Sequence, residues 1–158
     1  MNSLLLLSFL LIFYPLSVDS ASSSKDEPSS VEKTLKGILD KIYELDVEVG
    51  KGEEIVKFYT EDCVLINQGV PAINGKAELL HLYKTVFNKP TIVKKINVYM
   101  DDVYDMGDIV TLRYHATNHL ADCSVFTTTR LIIVWKKIKG KYLIHNQVSN
   151  ERENLCPK

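Results

Sequence analysis

Polar side chains that can bind or transfer protons alternate with apolar ones along residues 111–119, TLRYHATNH. This period of two predicts a strand whose more apolar face carries Tyr114 and Asn118, while His115 and His119 lie on the other face. If the apolar face turns inward, Tyr114 and Asn118 become polar groups of a pocket. The two histidines are separated by about 13 Å along a strand, too far to share a metal ion. We therefore predict solvated histidines and no metal site.

A second alternating segment, residues 142–149, places His145, Gln147 and Ser149 on one predicted face together with Leu143. A histidine changes its charge near neutral pH and can act as a general base in a pocket. A hydrogen-bonded histidine of the core or of an interface is the alternative interpretation.

Carboxylate chemistry has few candidates in this sequence. One known form of proton abstraction combines a carboxylate base with an oxyanion donor such as a tyrosine. The acidic residues of the predicted long strands fall at strand ends or in turns, whereas Asp62 begins a short apolar segment. Its alternative role is capping or turn formation. We therefore name His145, Tyr114 and Asp62 as candidate catalytic residues.

The elements that must position these side chains are helices first and strands second. Ser29 and Glu32 form a capping-box pattern, and apolar residues then recur at three- and four-residue steps over 31–49, which predicts a long helix. Two shorter helices are predicted over 53–59 and 75–88, with a small hairpin between them. From residue 91 the period changes to two, and short turns join four predicted strands over 92–104, 109–120, 123–137 and 142–149.

This order of elements predicts an α+β fold in which helices cover one face of a curved antiparallel meander. The concave interior between helices and sheet is where a ligand would bind. Tyr59, Tyr83 and Trp135 are either lining residues of that interior or ordinary core residues.

The composition fits one globular domain. The chain has 158 residues, 46% of them hydrophobic, and 19 basic against 20 acidic residues. A charge balance this even provides no general attraction for nucleic acid or for an anionic membrane, so we predict neither as a partner.

An apolar run of thirteen residues, 4–16, opens the chain. It is shorter than the about 20 residues that span a bilayer, and small residues at positions 18 and 20 predict signal-peptide cleavage before Ala21. A membrane anchor is the alternative. We expect a signal peptide over 1–20, a flexible leader over 21–30, one domain over 31–150 and a tail over 151–158. The expected location is extracellular, with no membrane span after cleavage.

Three cysteines remain after that cleavage and would meet an oxidising environment. The start of the Cys123 strand should lie beside the end of the following strand, just before Cys156. We predict a Cys123–Cys156 disulfide, which leaves Cys63 as a small buried side chain.

Two stretches, FYTEDCVLI at 58–66 and GVPAINGK at 69–76, resemble the SnoaL-like members of the nuclear transport factor 2-like superfamily. The later VWKK at 134–137, with His145 and Ser149, is similar to the ending of the same family, which also occurs in the association domain of calcium/calmodulin-dependent protein kinase II. The resemblance implies a cone of three N-terminal helices packed on a curved antiparallel sheet. Members use the cone for isomerases, cyclases and dehydratases, for ligand binding, or only for dimerisation.

The resulting hypothesis is a secreted SnoaL-like domain that binds a small apolar or amphipathic molecule and forms a homodimer through its sheet, with no cofactor. The alternatives are an isomerase, dehydratase or cyclase, and a dimerisation module without a ligand. The predicted pocket residues are Tyr59, Tyr83, Tyr114, Asn118, Trp135, His145, Gln147 and Ser149.

Overall fold

Three helices precede the long strands in the computed structural model, which describes residues 27–122 and 124–153. Helix α1 begins as predicted, because the Ser29 hydroxyl accepts a hydrogen bond from the Glu32 amide at 3.1 Å. The second predicted helix is shorter than expected and ends in a single 3₁₀ turn, Val56–Phe58, since Tyr59 already begins a strand. The helices are α1 (Ser30–Asp46), α2 (Gly52–Ile55) and α3 (Gly75–Thr85).

Six strands form one sheet in the order β2-β1-β6-β5-β4-β3. Strands β3 to β6 make the predicted antiparallel meander, and β1 pairs with β2 as the predicted hairpin. The sheet is nevertheless mixed, because β1 runs parallel to β6. The bounds are β1 (Tyr59–Asn67), β2 (Ile73–Asn74), β3 (Lys95–Asp105), β4 (Ile109–His119), β5 (Val125–Ile138) and β6 (Lys141–Glu153).

The core lies between α1 and the inner face of the sheet. Helix α1 buries one apolar stripe at helical spacing, which includes Leu35, Leu39 and Ile42. The opposing strands bury every second residue, among them Leu112 and Ile133, as a half-buried sheet requires. Helices packed on one face of a curved sheet confirm the predicted α+β cone.

A β-bulge in β6 changes which residues face the interior. Trp135 of β5 pairs with Ile144, but the residue before it, Val134, pairs with Asn146. His145 is therefore the extra residue in β6. After the bulge, Gln147 pairs with the buried Ile133 and faces inward. The predicted common face of Leu143, His145, Gln147 and Ser149 is therefore wrong for its first half, because strict alternation does not survive an inserted residue.

Several predictions fall outside the described residues. These are the apolar run 4–16, the cleavage site, and both members of the Cys123–Cys156 pair. Cys63, by contrast, is a free and fully buried thiol in β1. Strand β6 continues to Glu153, beyond the residue 150 at which the domain was expected to end. None of the helices within 27–122 and 124–153 has the length and apolarity needed to cross a bilayer.

Candidate functional site

A cavity opens between α1, α3 and the inner face of the sheet. Its outer part has a volume of about 740 Å³ and its inner part about 170 Å³. The two parts share wall residues, including Tyr43, Asp46 and Gln147, and so lie side by side. A volume of this order is typical of sites for small organic molecules.

Four tyrosines from four different elements line the inner part of the cavity. The hydroxyls of Tyr43 and Tyr114 are hydrogen-bonded to each other at 2.8 Å. The Tyr59 hydroxyl donates to Gln147 Oε1 at 3.3 Å. Burial raises the pKa of Tyr43, Tyr59, Tyr83 and Tyr114 above the ordinary tyrosine value, so all four remain neutral hydroxyls at physiological pH.

Asp46 is the acidic group of this cavity, and it lines both parts. Its carboxylate is reached by solvent through the cavity, while the surrounding protein desolvates it and raises its pKa above the ordinary aspartate value. A hydrogen bond from the Tyr83 hydroxyl, 3.4 Å from Asp46 Oδ1, opposes that shift in pKa. Asp46 is also the last residue of α1, where the negative end of the helix dipole disfavours a carboxylate.

The sheet adds neutral polar groups to the same space. Ser149 donates to Asn67 Oδ1 at 2.6 Å, and the Asn118 amide donates to the hydroxyl of the buried Thr127 at 2.7 Å. Because these groups satisfy one another, they can orient a ligand without leaving a buried polar atom unpaired in its absence.

The rim of the cavity is apolar and exposed. Val70, Val86 and Phe87 are each more than half exposed and line the outer part. The Phe87 ring lies 5.5 Å from that of Tyr83, which connects the rim to the tyrosines inside. Exposed apolar residues around a polar-ended cavity are typical of a ligand entrance.

Six of the eight residues predicted for the pocket lie along the cavity: Tyr59, Tyr83, Tyr114, Asn118, Gln147 and Ser149. Trp135 does not, because its side chain is fully buried in the core between the helices and the sheet. His145 does not either, because the bulge in β6 turns it away. The predictions for these two residues are corrected accordingly.

The structure brings His145 and Asp62 together, but outside the cavity. Thr60 Oγ1 and Asp62 Oδ1 lie 3.1 Å and 3.4 Å from the same atom, His145 Nδ1. A proton relay uses the two ring nitrogens in turn, so this arrangement does not make one. A hydrogen bond from Thr60, then a backbone hydrogen bond, and then the nearby Lys136 and His145 lower the pKa of the exposed Asp62. The structure therefore gives this pair a surface position, away from the cavity in which catalysis was predicted.

The two histidines of β4, His115 and His119, also have local partners. His115 stacks on Tyr99 and places Nδ1 2.9 Å from Asp101 Oδ1. His119 Nε2 lies 3.0 Å from the Asn97 amide. Across the described part of the chain, no group of three or more His, Cys, Asp and Glu side chains is arranged to hold a metal ion.

Two residues of the cavity, Tyr43 and Asp46, were not predicted from the sequence. Both lie on α1 three residues apart, where a tyrosine within an apolar stripe is indistinguishable from core. The signal that was available is the carboxylate at the C-terminal end of a helix whose last turn has no basic residue. A violated local preference of this kind is typical of a functional position.

The sequence matches no protein-family model and no curated protein. Solved structures, however, match the fold. A ketosteroid isomerase-like protein from Erwinia carotovora atroseptica is 21% identical, with a TM-score of 0.60 over 84% of this chain and 98% of that one. An NTF-2-like protein from Shewanella oneidensis is 17% identical, with a TM-score of 0.61 over 74% and 96% of the two chains.

A third structure agrees with these two. It is a protein with a cystatin-like fold from Nostoc punctiforme, 14% identical, with a TM-score of 0.63 over 80% of this chain and 95% of that one. Identities this low carry the architecture and leave the activity open. The chain therefore has the nuclear transport factor 2-like fold.

Proposed function

We propose that this protein binds a small apolar or amphipathic molecule in the cavity between α1, α3 and the sheet. The observation that carries the proposal is a two-part cavity with an exposed apolar rim on its outer part and hydrogen-bonding groups along its inner part. An apolar body would replace cavity water along the walls, and the inner hydroxyls, carboxylate and amide would orient one polar group.

The test fills part of the cavity with a larger side chain that a β-strand can accommodate. Thr129 of β5 lines the outer part of the cavity, and aromatic residues suit strands, so Thr129→Phe fills space there. Thr128→Phe is the matched control, because it makes the same substitution on the outer face of the same strand, away from Ile132. The probe is the neutral fluorophore N-phenyl-1-naphthylamine.

We expect saturable uptake of about one fluorophore per chain, at least about tenfold weaker in Thr129→Phe and unchanged in Thr128→Phe. Absence of saturable uptake, or equal weakening by both substitutions, would contradict the binding function and favour a module with a filled interior.

Secretion is part of the proposal and rests on the apolar run 4–16 followed by small residues. Expression in a eukaryotic secretory system, followed by N-terminal sequencing of the medium, tests it. We expect Ala21 as the first residue of the secreted chain. Retention of the full-length chain in membranes would support the anchor alternative.

Acid–base catalysis is the second candidate, and the specific observation that favours it is Asp46 beside the tyrosine hydroxyls. A carboxylate of raised pKa could remove a proton while the Tyr43–Tyr114 pair stabilises the resulting oxyanion. This replaces His145 and Asp62 as partners for Tyr114. The test is deuterium uptake from D₂O at the methyl group of 2-acetonaphthone, an apolar ketone with protons that a base can remove next to its carbonyl. We expect uptake with wild type and none with Asp46→Asn if this reaction occurs.

We also infer that a second copy of the chain pairs with the outer face of the sheet. Ile66, Val148 and Ile132 are neighbours across β1, β6 and β5, and each is about half exposed. The same row continues with Arg113 on β4, paired with Asp102 on β3. An apolar half beside a half with both charge signs can complement itself about a two-fold axis.

Sedimentation velocity tests this pairing. Wild type should sediment as a dimer at micromolar concentration, and Ile132→Lys as a monomer with an unchanged circular dichroism spectrum. A monomeric wild type at 100-fold higher concentration would contradict it.

A further inference from the structure

We propose that the cavity selects a cation, namely a protonated amine on an apolar body, whose ammonium group binds at Asp46 among the tyrosine rings. This inference rests on the proposed binding function and names the chemical class of its ligand. It starts from the charges on the cavity walls.

Every charged side chain on those walls is acidic. Asp46 lies at the inner end, and Glu78 and Glu151 lie farther out. Among the described residues, neither part of the cavity is lined by a Lys, Arg or His side chain. A site with this charge distribution attracts cations and repels carboxylates, sulfates and phosphates, because the cavity screens charge less than bulk water does.

Asp46 also lacks a positive partner within the described part of the chain. Other acids on the helices have lysine partners: Asp40 is 2.6 Å from Lys36, and Glu53 is 2.6 Å from Lys84. The hydrogen bond of Asp46 comes from a neutral hydroxyl, that of Tyr83. Asp46 is exposed at the cavity opening, yet the protein around it desolvates the carboxylate enough to raise its pKa, and no basic side chain among the residues described offsets this effect. A ligand cation would supply the charge that the protein does not.

The tyrosines are suited to the same ligand. Tyr43, Tyr59, Tyr83 and Tyr114 line the space next to Asp46, and aromatic rings attract cations placed within about 6 Å of them. Neutral hydroxyl oxygens can in addition accept hydrogen bonds from an ammonium N–H. The apolar body of the ligand would then extend along the aliphatic wall toward the rim, a wall that includes Leu39, Ile73, Leu79, Leu82 and Ile144.

Three probes with one naphthalene body separate charge from shape. They are 2-(1-naphthyl)ethylamine, 2-(1-naphthyl)ethanol and 1-naphthylacetate, titrated calorimetrically at pH 7. We expect the amine to bind at least about tenfold more tightly than the alcohol, and the carboxylate to bind more weakly than both. In Asp46→Asn the amine should fall to the affinity of the alcohol.

The matched control is Glu48→Gln, which removes the same charge two residues along the chain at a solvent-exposed position near Lys51. It should leave the preference for the amine unchanged. Binding of the alcohol to Asp46→Asn with wild-type affinity shows that the variant keeps a folded cavity, so a lost preference is assigned to the charge alone.

The outcomes separate this inference from the function on which it rests. Equal affinity for amine and alcohol, or a preference that survives Asp46→Asn, would overturn the cation inference and leave the binding function standing. Uptake of the neutral fluorophore without binding of the amine would do the same. If neither the fluorophore nor any naphthalene probe binds, both are overturned.

Discussion

Two aspartates of this protein, Asp46 and Asp62, have opposite electrostatic surroundings. Asp46 lines the cavity, beside a neutral tyrosine hydroxyl, and burial raises its pKa. Asp62 lies on the outside, where a threonine hydroxyl and two basic side chains lower its pKa. The same type of side chain is therefore a weaker acid in the cavity, at Asp46, and a stronger acid on the outside, at Asp62.

The comparison shows which of the two carboxylates has no basic partner among the described residues. On the outside of the molecule, the Asp62 carboxylate has two basic neighbours, His145 and Lys136. The inner site leaves Asp46 without a basic partner among the described residues, and it does so next to an accessible cavity. Uncompensated charge costs stability, so its position beside a cavity favours a role in binding.

The largest expected effect is on the free energy of unfolding, which should fall more when a side chain beside Asp46 is removed than when one beside Asp62 is removed. Tyr114 is fully buried on the inner face, so Tyr114→Ala should lower the free energy of unfolding by about 3 kcal/mol. His145→Ala removes a side chain near the surface and one hydrogen bond, and should cost about 1 kcal/mol. Urea denaturation followed by circular dichroism measures both. Equal losses would show that the inner site is no better packed than the outer one.

The hydroxyl pair should show the next largest effect. Tyr43→Phe leaves the buried hydroxyl of Tyr114 without its partner at 2.8 Å and should cost about 1.5 kcal/mol. Tyr114→Phe should cost a similar amount, and the double variant less than the sum of the two, with a coupling of about 1 kcal/mol. A double-mutant cycle in urea measures this coupling. Additive losses would mean that the two hydroxyls do not bond to each other.

Asp46→Asn should stabilise the protein at neutral pH. Because the pKa of Asp46 is raised in the folded state, the folded chain holds a proton more readily than the unfolded chain. The ionised group therefore destabilises the fold above the raised pKa, and this cost disappears as the pH falls to the unfolded value near 3.8. Asp46 is exposed, so solvent screens part of this cost, and we expect a Tm increase of about 1 to 2 °C at pH 7 and none below about pH 4. Differential scanning calorimetry across this range measures it, and a lower Tm at pH 7 would contradict it.

Asp62→Asn should give the smallest effect, with the opposite sign. The lowered pKa of Asp62 means that its ionised form favours the folded state above the unfolded value, and that this contribution is lost as the pH falls through the lowered one. Solvent screens this exposed group, so we expect a Tm decrease within about 1 °C at pH 7. The same calorimetric series is the check. An increase like that of Asp46→Asn would remove the contrast between the two sites.

Local patterns were sufficient for most of the fold. The Ser29 cap and the apolar spacing after it predicted α1, and the change of period after residue 91 predicted the meander. Those features depend on side chains a few residues apart, where propensity and alternation act directly. The resemblance of the segments around Tyr59 and Val134 then led to the correct architecture.

The candidate site was only partly predictable. Tyr114 and Asn118 were predicted from the more apolar face of their strand, and Gln147 from the face it was expected to share with His145 and Ser149; all three lie along the cavity. His145 was misplaced because a bulge in β6 inserts one residue, and a single insertion reverses every side chain beyond it. Asp46 was missed because its cavity exists only once α1, α3 and the sheet are assembled.

By itself, then, the sequence determined the order of helices and strands and the apolar faces of α1 and β4, because these follow from periodicities within one element. Only the tertiary structure decided that β1 lies parallel to β6, that His145 leaves the interior, and that Asp46 meets four tyrosines. Those outcomes depend on pairing and packing between residues far apart in the chain. No local spacing encodes them, because their free energy comes from burial and hydrogen bonding in the assembled cone.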